Sequence, residues 1–460
     1  MQAWGLNTYL YAPKDDLKHR AFWRELYDEC QAAEIAALIR DCQRHGVNFL
    51  YALAPGLDLD YASAKDAAAL QQKAAQLVDL GCQQFALLFD DIEPAIPVLA
   101  LSGTPSLAAA QSSISNAFLK FIRGKIDGAN LIFCPTQYCA SKAHPSVQES
   151  IYLKEIGQFL DPAIQILWTG PDIISEFITA ESVRELQAVI QRKPLIWDNL
   201  HANDYDQRRS YVGPYSGRPL ELRREVSGIL SNPNCEFEAN FVPLRTLAMY
   251  AQAVANWDPR QAYQSALQEW LPEWKLHRGA APETQPGGEM ESPYALKEAI
   301  QVAFQDLRTV TVQELELLGD CFYLPFESGR RAEDLLNEFK FLLRTPLSNW
   351  EASLQRLFSY GHILTSLFAK ISTLENRDLL YAFYRHLWEL NEEIKLLFNY
   401  LNWLLSKPGL DEVFSSREYR PKVYRGGFAA ALQRLLPMDE AGRFHHRHAL
   451  MLPGEAHGCR

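Results

Sequence analysis

The chain has no run near the roughly 18 consecutive apolar residues that a membrane-crossing helix needs. Its start, Met1-Gln2-Ala3-Trp4, has neither the basic opening nor the apolar core of a secretory signal. Cysteine is scarce, eight in 460 residues, and the closest spacing, Cys134 to Cys139, has no second pair and no His cluster beside it. The pattern therefore gives no support to a zinc site or a disulfide framework. Cys134 instead lies in the apolar run Leu131-Ile132-Phe133-Cys134 and reads as a buried free thiol. No Asn-x-Ser/Thr sequon occurs. Basic charge is in deficit: 45 Lys and Arg against 56 Asp and Glu give a net charge of −11. Such a surface has no general attraction for phosphate backbones or anionic lipid, so neither nucleic acid nor membrane is an expected partner. No Gly-x-Gly-x-x-Gly or P-loop marks a nucleotide site, and no nucleophile elbow marks acyl transfer. A reducing, intracellular compartment is the expectation.

What is present is a globular composition, 48% hydrophobic and 22% charged, in a length that suits two to four domains or one large α/β domain. The first 245 residues or so alternate β-rich runs with amphipathic helical stretches such as Glu34–His45 and Ala64–Leu80. The runs are Leu6–Tyr11, Asn48–Leu53, Gln84–Phe89, Asn130–Cys134, Gln165–Trp168, Leu195–Trp197 and Glu236–Glu238. Alternation of this kind predicts a parallel sheet with right-handed crossovers, its strands buried on both faces. The runs end in polar or turn residues, including Lys14-Asp15-Asp16, Asp90-Asp91, Thr136-Gln137-Tyr138 and Asp198-Asn199. In a (β/α)8 barrel that end of the strands builds the active site. Seven runs are one short of closure, and a doubly wound open sheet accepts the same count.

From about Trp257 the strands vanish. Gln261–Trp270 reads as a helix, Gly279–Ser292 as a linker, and Tyr294–Arg308 and Ala332–Leu343 as further helices. Thr311 with Glu314, and Ser348 with Glu351, have capping-box spacing. Trp350–Leu405 carries dense Leu, Phe, Tyr and Trp at helical spacing, with a break expected at Asn376-Arg377-Asp378. Such stripes bury one another or a partner chain. Arg420, Lys422, Arg425 and Arg434 read as a solvated basic face. The expected organisation is a barrel domain at 1–250, a connecting helix at 251–274, a Gly/Pro-rich linker at 275–293, a helical bundle at 294–440 and a disordered tail at 441–460. The His-rich stretch His445-His446-Arg447-His448 falls in that tail and reads as disordered rather than as a metal site.

Asp90-Asp91 is the sharpest local feature. Adjacent carboxylates at the end of an apolar strand are costly to bury and stand where barrels do catalysis. Successive strand side chains point to opposite faces, so both reach one ligand only if the chain turns there. In the bland alternative Asp91 caps a following helix and Asp90 is solvated. The second constellation is Trp197-Asp198-Asn199-Leu200-His201-Ala202-Asn203-Asp204-Tyr205-Asp206. Aromatic faces with Asp and Asn side chains suit a carbohydrate, although a long turn also explains much of this composition. His201 reads as structural, and Asn232-Pro233-Asn234 as a turn preceding the last strand. Lys14 and Tyr138 add a charged donor and a phenol at strand mouths.

Together, Gly5–Asp16, Leu87–Ile92, Phe133–Cys139, Ile196–Gln207 and Asn232–Asn240 resemble glycoside hydrolase family 84, the O-GlcNAcases. In the second half Cys321–Glu327 and Arg425–Pro437 resemble the stalk of the animal members, so the likeness covers nearly the whole chain. It implies a TIM-type barrel, N-terminally incomplete with about seven strands, followed by an all-α bundle. It also implies removal of N-acetylglucosamine from Ser and Thr of nuclear and cytoplasmic proteins, with retention and through an oxazoline. By motif match, Asp90 orients the acetamido group and Asp91 is the acid and base. Tyr138 steadies the acetamido group, Trp197 walls its pocket and Asn199 supports the catalytic pair. Asp204 and Asn232 hold outer sugar hydroxyls, Lys14 contacts the sugar, and Tyr205 lies close by. No metal or organic cofactor is implied, and the stalk implies a homodimer.

The family's first strand, with its Gly-Phe-Tyr-Gly-like segment, has no counterpart here, in line with the count of seven. Gln137 stands where a Glu is usual, and the acetyltransferase-like domain of the long animal forms is missing. A reading from another class is a truncated, inactive form that binds O-GlcNAc peptides or only dimerises.

Overall fold

The sheet is built from short apolar runs: β1 (Thr8–Tyr11), β2 (Asn48–Leu53), β3 (Gln84–Leu88), β4 (Asn130–Cys134), β5 (Gln165–Trp168), β6 (Leu195–Asp198) and β7 (Gly228–Ser231). They pair in chain order, every neighbour parallel. The computed structural model describes residues 1–90, 92, 106–277, 309–406, 409, 412–414, 425–436 and 443–446. Among these residues no pairing joins β7 to β1, which leaves a nearly closed barrel of TIM type.

Helices α1 (Glu29–Arg44), α2 (Ala64–Asp79), α3 (Leu107–Arg123), α4 (Ile151–Phe159) and α5 (Ala180–Ile190) connect the strands. Each starts on a side chain that accepts an amide of the first turn: Asp28, Ser63, Ser106, Ser150 and Thr179. Caps of this kind are worth about 1 kcal/mol each.

The period-2 alternation of the strands sorts two cores. Phe49, Tyr51 and Leu53 of β2, with Phe85, Leu87 and Phe89 of the β3 run, pack in the layer that includes Ile39, Leu77 and Phe118 of the helices. Leu50, Ala52 and Ala54, with Ala86, Leu88, Ile132, Cys134, Leu167 and Leu195, fill the barrel interior.

The seventh strand differs from the expectation. Glu236–Glu238 does not form a strand: Phe237–Asn240 is a 3-10 turn, with Phe237 exposed and Ala239 buried. A single aromatic between two glutamates offers no second buried face. Gly228-Ile229-Leu230-Ser231 pairs with β6 instead. Asn232-Pro233-Asn234 therefore follows the last strand and stands at its C-terminal mouth.

The chain forms two compact units, one of Met1–Leu200, Ser216–Asn232 and Ala248–Trp257, the other of His201–Tyr215, Pro233–Leu247 and Asp258–Arg460. A short α6 (Leu222–Glu225) and α7 (Phe241–Gln252) follow the later strands. The second unit contains α8 (Pro259–Trp270), α9 (Val312–Cys321), α10 (Arg330–Arg344), α11 (Glu351–Ile371), α12 (Arg377–Leu405) and α13 (Gly427–Gln433). Thr311 and Glu314 form the expected capping box, and Asn376 caps α12 after the expected break. Ser348 does not cap. It lies inside the turn Leu347–Asn349, its hydroxyl donates to Asn349 Oδ1 at 3.2 Å, and the helix starts from Trp350.

Arg425 is not on a solvated face. It is buried, 2.9 Å from Glu393, and charge complementarity overrides its reading as surface. Within the expected disordered tail, Phe444–His445 (β9) pairs antiparallel with Val413–Phe414 (β8), and Phe444 is buried in the bundle core. The rest of that tail, most of the linker and the expected helix at 294–308 lie outside the described residues.

Candidate active site

The residues just past the strand ends stand at the barrel mouth. Lys14 lies in the turn that follows β1, after Leu10 and Ala12 of the interior core, and Asp90 in the turn that follows β3, after Ala86 and Leu88. Tyr138 packs in the interior core with Cys134, and Trp197 and Leu230 pack against it. Asn199 and Asn232 follow directly on the ends of β6 and β7. Six of the nine residues singled out in the sequence (Lys14, Asp90, Tyr138, Trp197, Asn199 and Asn232) thus occupy the C-terminal mouth of one sheet. Asp90 is half-buried, Tyr138 buried and Lys14 exposed. Asp91, the proposed acid and base, lies outside the described residues. Asp204 and Tyr205 belong to the second compact unit. There the Tyr205 hydroxyl is 2.6 Å from that of Tyr211, and burial together with this bond raises its pKa.

Asn199 is largely used as a brace. Its Nδ2 donates to the Ile173 carbonyl at 2.7 Å, and its Oδ1 accepts from Asn232 Nδ2 at 3.0 Å. The Asn232 backbone N–H donates to the Asp198 carbonyl at 2.8 Å, which adds one rung beyond the β6–β7 ladder. Asp198 has the outward parity and is held by Arg218, whose guanidinium also donates to the carbonyls of Ser175, Glu176 and Ser216. The strand end carrying Trp197 and Asn199 is therefore fixed from behind.

At the β1 mouth the loop with Lys14 is anchored by Asp16. Its Oδ2 accepts from the Tyr11 and Tyr27 hydroxyls at 2.8 and 2.6 Å, and its Oδ1 from the Lys18 N–H at 2.8 Å. Burial alone raises the Asp16 pKa, but these hydrogen bonds outweigh it and hold the carboxyl below its ordinary value. His201 bonds the Gly213 carbonyl at 2.9 Å in a buried setting, in keeping with its structural reading. Among the described residues no group of three or more His, Cys, Asp or Glu is arranged to hold a metal ion. No helix among them is long and apolar enough to cross a membrane.

The family model for β-N-acetylglucosaminidase (NAGidase) matches residues 1–279. The chain belongs to the β-N-acetylglucosaminidase family. Protein O-GlcNAcase of Rattus norvegicus is 28% identical over 617 residues, covering 96% of this chain and 67% of the rat protein. The Mus musculus protein of the same name gives the same identity and coverage. A mutant of Thermobaculum terrenum O-GlcNAc hydrolase superposes with a TM-score of 0.69 at 26% identity, covering 88% of this chain and 77% of the other. These likenesses identify a glycoside hydrolase of the O-GlcNAcase type, family 84, with a TIM-type barrel and a helical domain.

Sequence reasoning missed some of the residues that hold the mouth of this β-N-acetylglucosaminidase. Arg218 sits in a Ser-Gly-Arg-Pro stretch, where no local pattern marks a buried cation. Gln111 and Tyr152, behind the β3 and β4 ends, also went unread. For Gln111 a signal exists: it shares a helical face with Ala108, Ser115 and Phe118, so an amide stands among core positions.

Proposed function

We propose that this hydrolase removes N-acetylglucosamine from Ser and Thr of intracellular proteins, retaining configuration by substrate-assisted catalysis. Family membership combined with a half-buried carboxylate in the turn at the mouth of β3 carries the reading. The sugar's own 2-acetamido oxygen attacks the anomeric carbon and forms an oxazoline, so the enzyme supplies no nucleophile, unlike the usual two-carboxylate scheme. Asp90 accepts the acetamido N–H and orients the group. Asp91 protonates the departing Ser or Thr oxygen and then removes a proton from the incoming water. The division requires Asp91 protonated and Asp90 ionised or hydrogen-bonded at the start. Tyr138 steadies the acetamido group and Trp197 supplies an apolar wall. Asn232, Asp204 and Lys14 bind hydroxyls, with Asn199 as brace and Tyr205 close by. No cofactor is needed for these steps.

The bundle carries a further part of the reading, a homodimer whose bundle helices complete the partner's peptide cleft. Its support is an exposed aromatic stripe on α12: Tyr381 at 73%, Tyr384 at 47% and Trp388 at 42% exposure, spaced three and four apart. Free thiols buried at Cys82, Cys134, Cys139 and Cys321 suit substrates met in the cytoplasm and nucleus.

Proton NMR of the first product from a 4-nitrophenyl N-acetyl-β-glucosaminide tests the mechanism. The β-anomer should appear first, and fluorinating the N-acetyl group should slow turnover progressively. Initial release of the α-anomer, or indifference to fluorination, would exclude substrate assistance.

A further inference from the structure

We propose that Gln111 is a positioning residue of this hydrolase: with Thr136 and Tyr152 it fixes the strand end carrying Asp90 against the strand exit carrying Tyr138. The inference rests on the assignment of Asp90 and Tyr138 to the sugar site.

Gln111 lies on α3 with 0% exposure, where an amide is tolerated only if its hydrogen bonds are made. They are. Its Nε2 donates to Thr136 Oγ1 at 2.9 Å and to the Tyr61 hydroxyl at 3.2 Å, and its Oε1 accepts from the Tyr152 hydroxyl at 2.5 Å. The Thr136 hydroxyl passes its own hydrogen to the Phe89 carbonyl at 2.9 Å, and the Thr136 N–H donates to Tyr152 Oη at 2.9 Å. Gln111, Thr136 and Tyr152 thus close a ring in which each hydrogen has one acceptor. Burial pushes the Tyr61 phenol up to about 12 and raises that of Tyr152.

The ring ends on functional positions. Phe89 immediately precedes Asp90, and Thr136 lies two residues before Tyr138. Leu88 pairs with Cys134, so by continuation of the register Thr136 stands level with Asp90. The Phe89 N–H reaches the Cys134 carbonyl at 3.0 Å, and Ser150 Oγ donates to Gln137 Oε1 at 2.6 Å, pinning the residue between Thr136 and Tyr138. The Tyr61 ring also lies 6.2 Å from that of Phe89. A core serving packing alone is filled as well by a leucine at 111. A ring that closes on the carbonyl before one acetamido-binding residue and on the loop bearing the other sets their spacing. An internal nucleophile must lie about 3–3.5 Å from the anomeric carbon, and a misplacement of about 1 Å costs about a hundredfold.

Thr136→Val keeps the shape and removes the hydroxyl. With a 4-nitrophenyl N-acetylglucosaminide, kcat should fall about 10- to 100-fold with KM changed less than about threefold. The acidic limb of the pH profile should also shift. Thr136→Ser should restore at least about a third of the wild-type kcat and the original limb. Tyr152→Phe, which opens the ring at another point, should reproduce the loss and serves as the readout if Thr136→Val does not fold. Wild-type kcat and an unmoved limb in the folded variants, with Asp90→Asn inactive, would overturn the positioning role alone. An active Asp90→Asn would overturn the site assignment beneath it.

Discussion

The guanidinium of Arg218 meets the carboxylate of Asp198 through two parallel hydrogen bonds, Nε to Oδ2 at 2.8 Å and Nη2 to Oδ1 at 2.7 Å, with both side chains essentially excluded from solvent. The remaining three guanidinium hydrogens go to the carbonyls of Ser175, Glu176 and Ser216. Arg218, held by Asp198 on the outward side of β6, thus ties two stretches of loop, 175–176 and 216–218, behind Trp197 and Asn199. Asp198 was visible in the sequence as a polar strand end, but its role as an outward anchor was not.

Breaking this pair leaves a charge buried without its partner, which costs about 3–5 kcal/mol. Arg218→Lys should lose most of that, because an ammonium has three hydrogens and no planar fork to offer five acceptors. Gly217→Ala should also destabilise: φ is +73° there, and a Cβ would collide with the Glu176 carbonyl. Chemical denaturation of each variant beside the wild type checks both expectations.

Asn232 donates one amide hydrogen to Asn199, and its other amide hydrogen and its carbonyl oxygen are the groups proposed to meet a sugar hydroxyl. Asn232→Ala should raise KM up to about tenfold, the value of a neutral hydrogen bond, with a smaller change in kcat. Asn199→Ala frees both Asn232 and the Ile173 carbonyl and should lower kcat as well. Steady-state kinetics on one substrate separates the two.

The depressed pKa of Asp16 links the Lys14 loop to acid stability. A carboxyl whose folded pKa lies below its unfolded value contributes stability that is complete above the unfolded pKa and is lost as pH falls through the folded one. Wild type should therefore lose more stability than Asp16→Asn between about pH 4 and the folded pKa. Near pH 7 Asp16→Asn should be the less stable protein, by about 1.5–3 kcal/mol for hydrogen bonds to a charged group. Unfolding curves collected across that range give the comparison.

The first six strands were legible because strands buried on both faces read as continuous apolar runs bounded by turns. The seventh was misplaced by eight residues, since Gly228-Ile229-Leu230-Ser231 is shorter and plainer than the nearby Glu236-Phe237-Glu238. That shift mattered: it turned Asn232 from a residue before a strand into one at its mouth. The long helices showed through their stripes and caps, and the Ser348 error came from a 3-10 turn that precedes the helix. Least legible were the buried polar groups. Arg218, Gln111 and Arg425 satisfy partners far away in the chain, and no local pattern records a partner 20 to 41 residues distant.

In the proposed mechanism Asp91 protonates the departing serine or threonine oxygen at a site oriented by Asp90. Rates for the purified chain and its Asp91→Asn variant on an O-GlcNAc-serine peptide test it most directly, because an alkoxide leaving group depends on an acid. The wild type should release N-acetylglucosamine, with turnover at least about a hundredfold slower in Asp91→Asn. Equal rates in the two, or no turnover by the wild type above the variant, would contradict it.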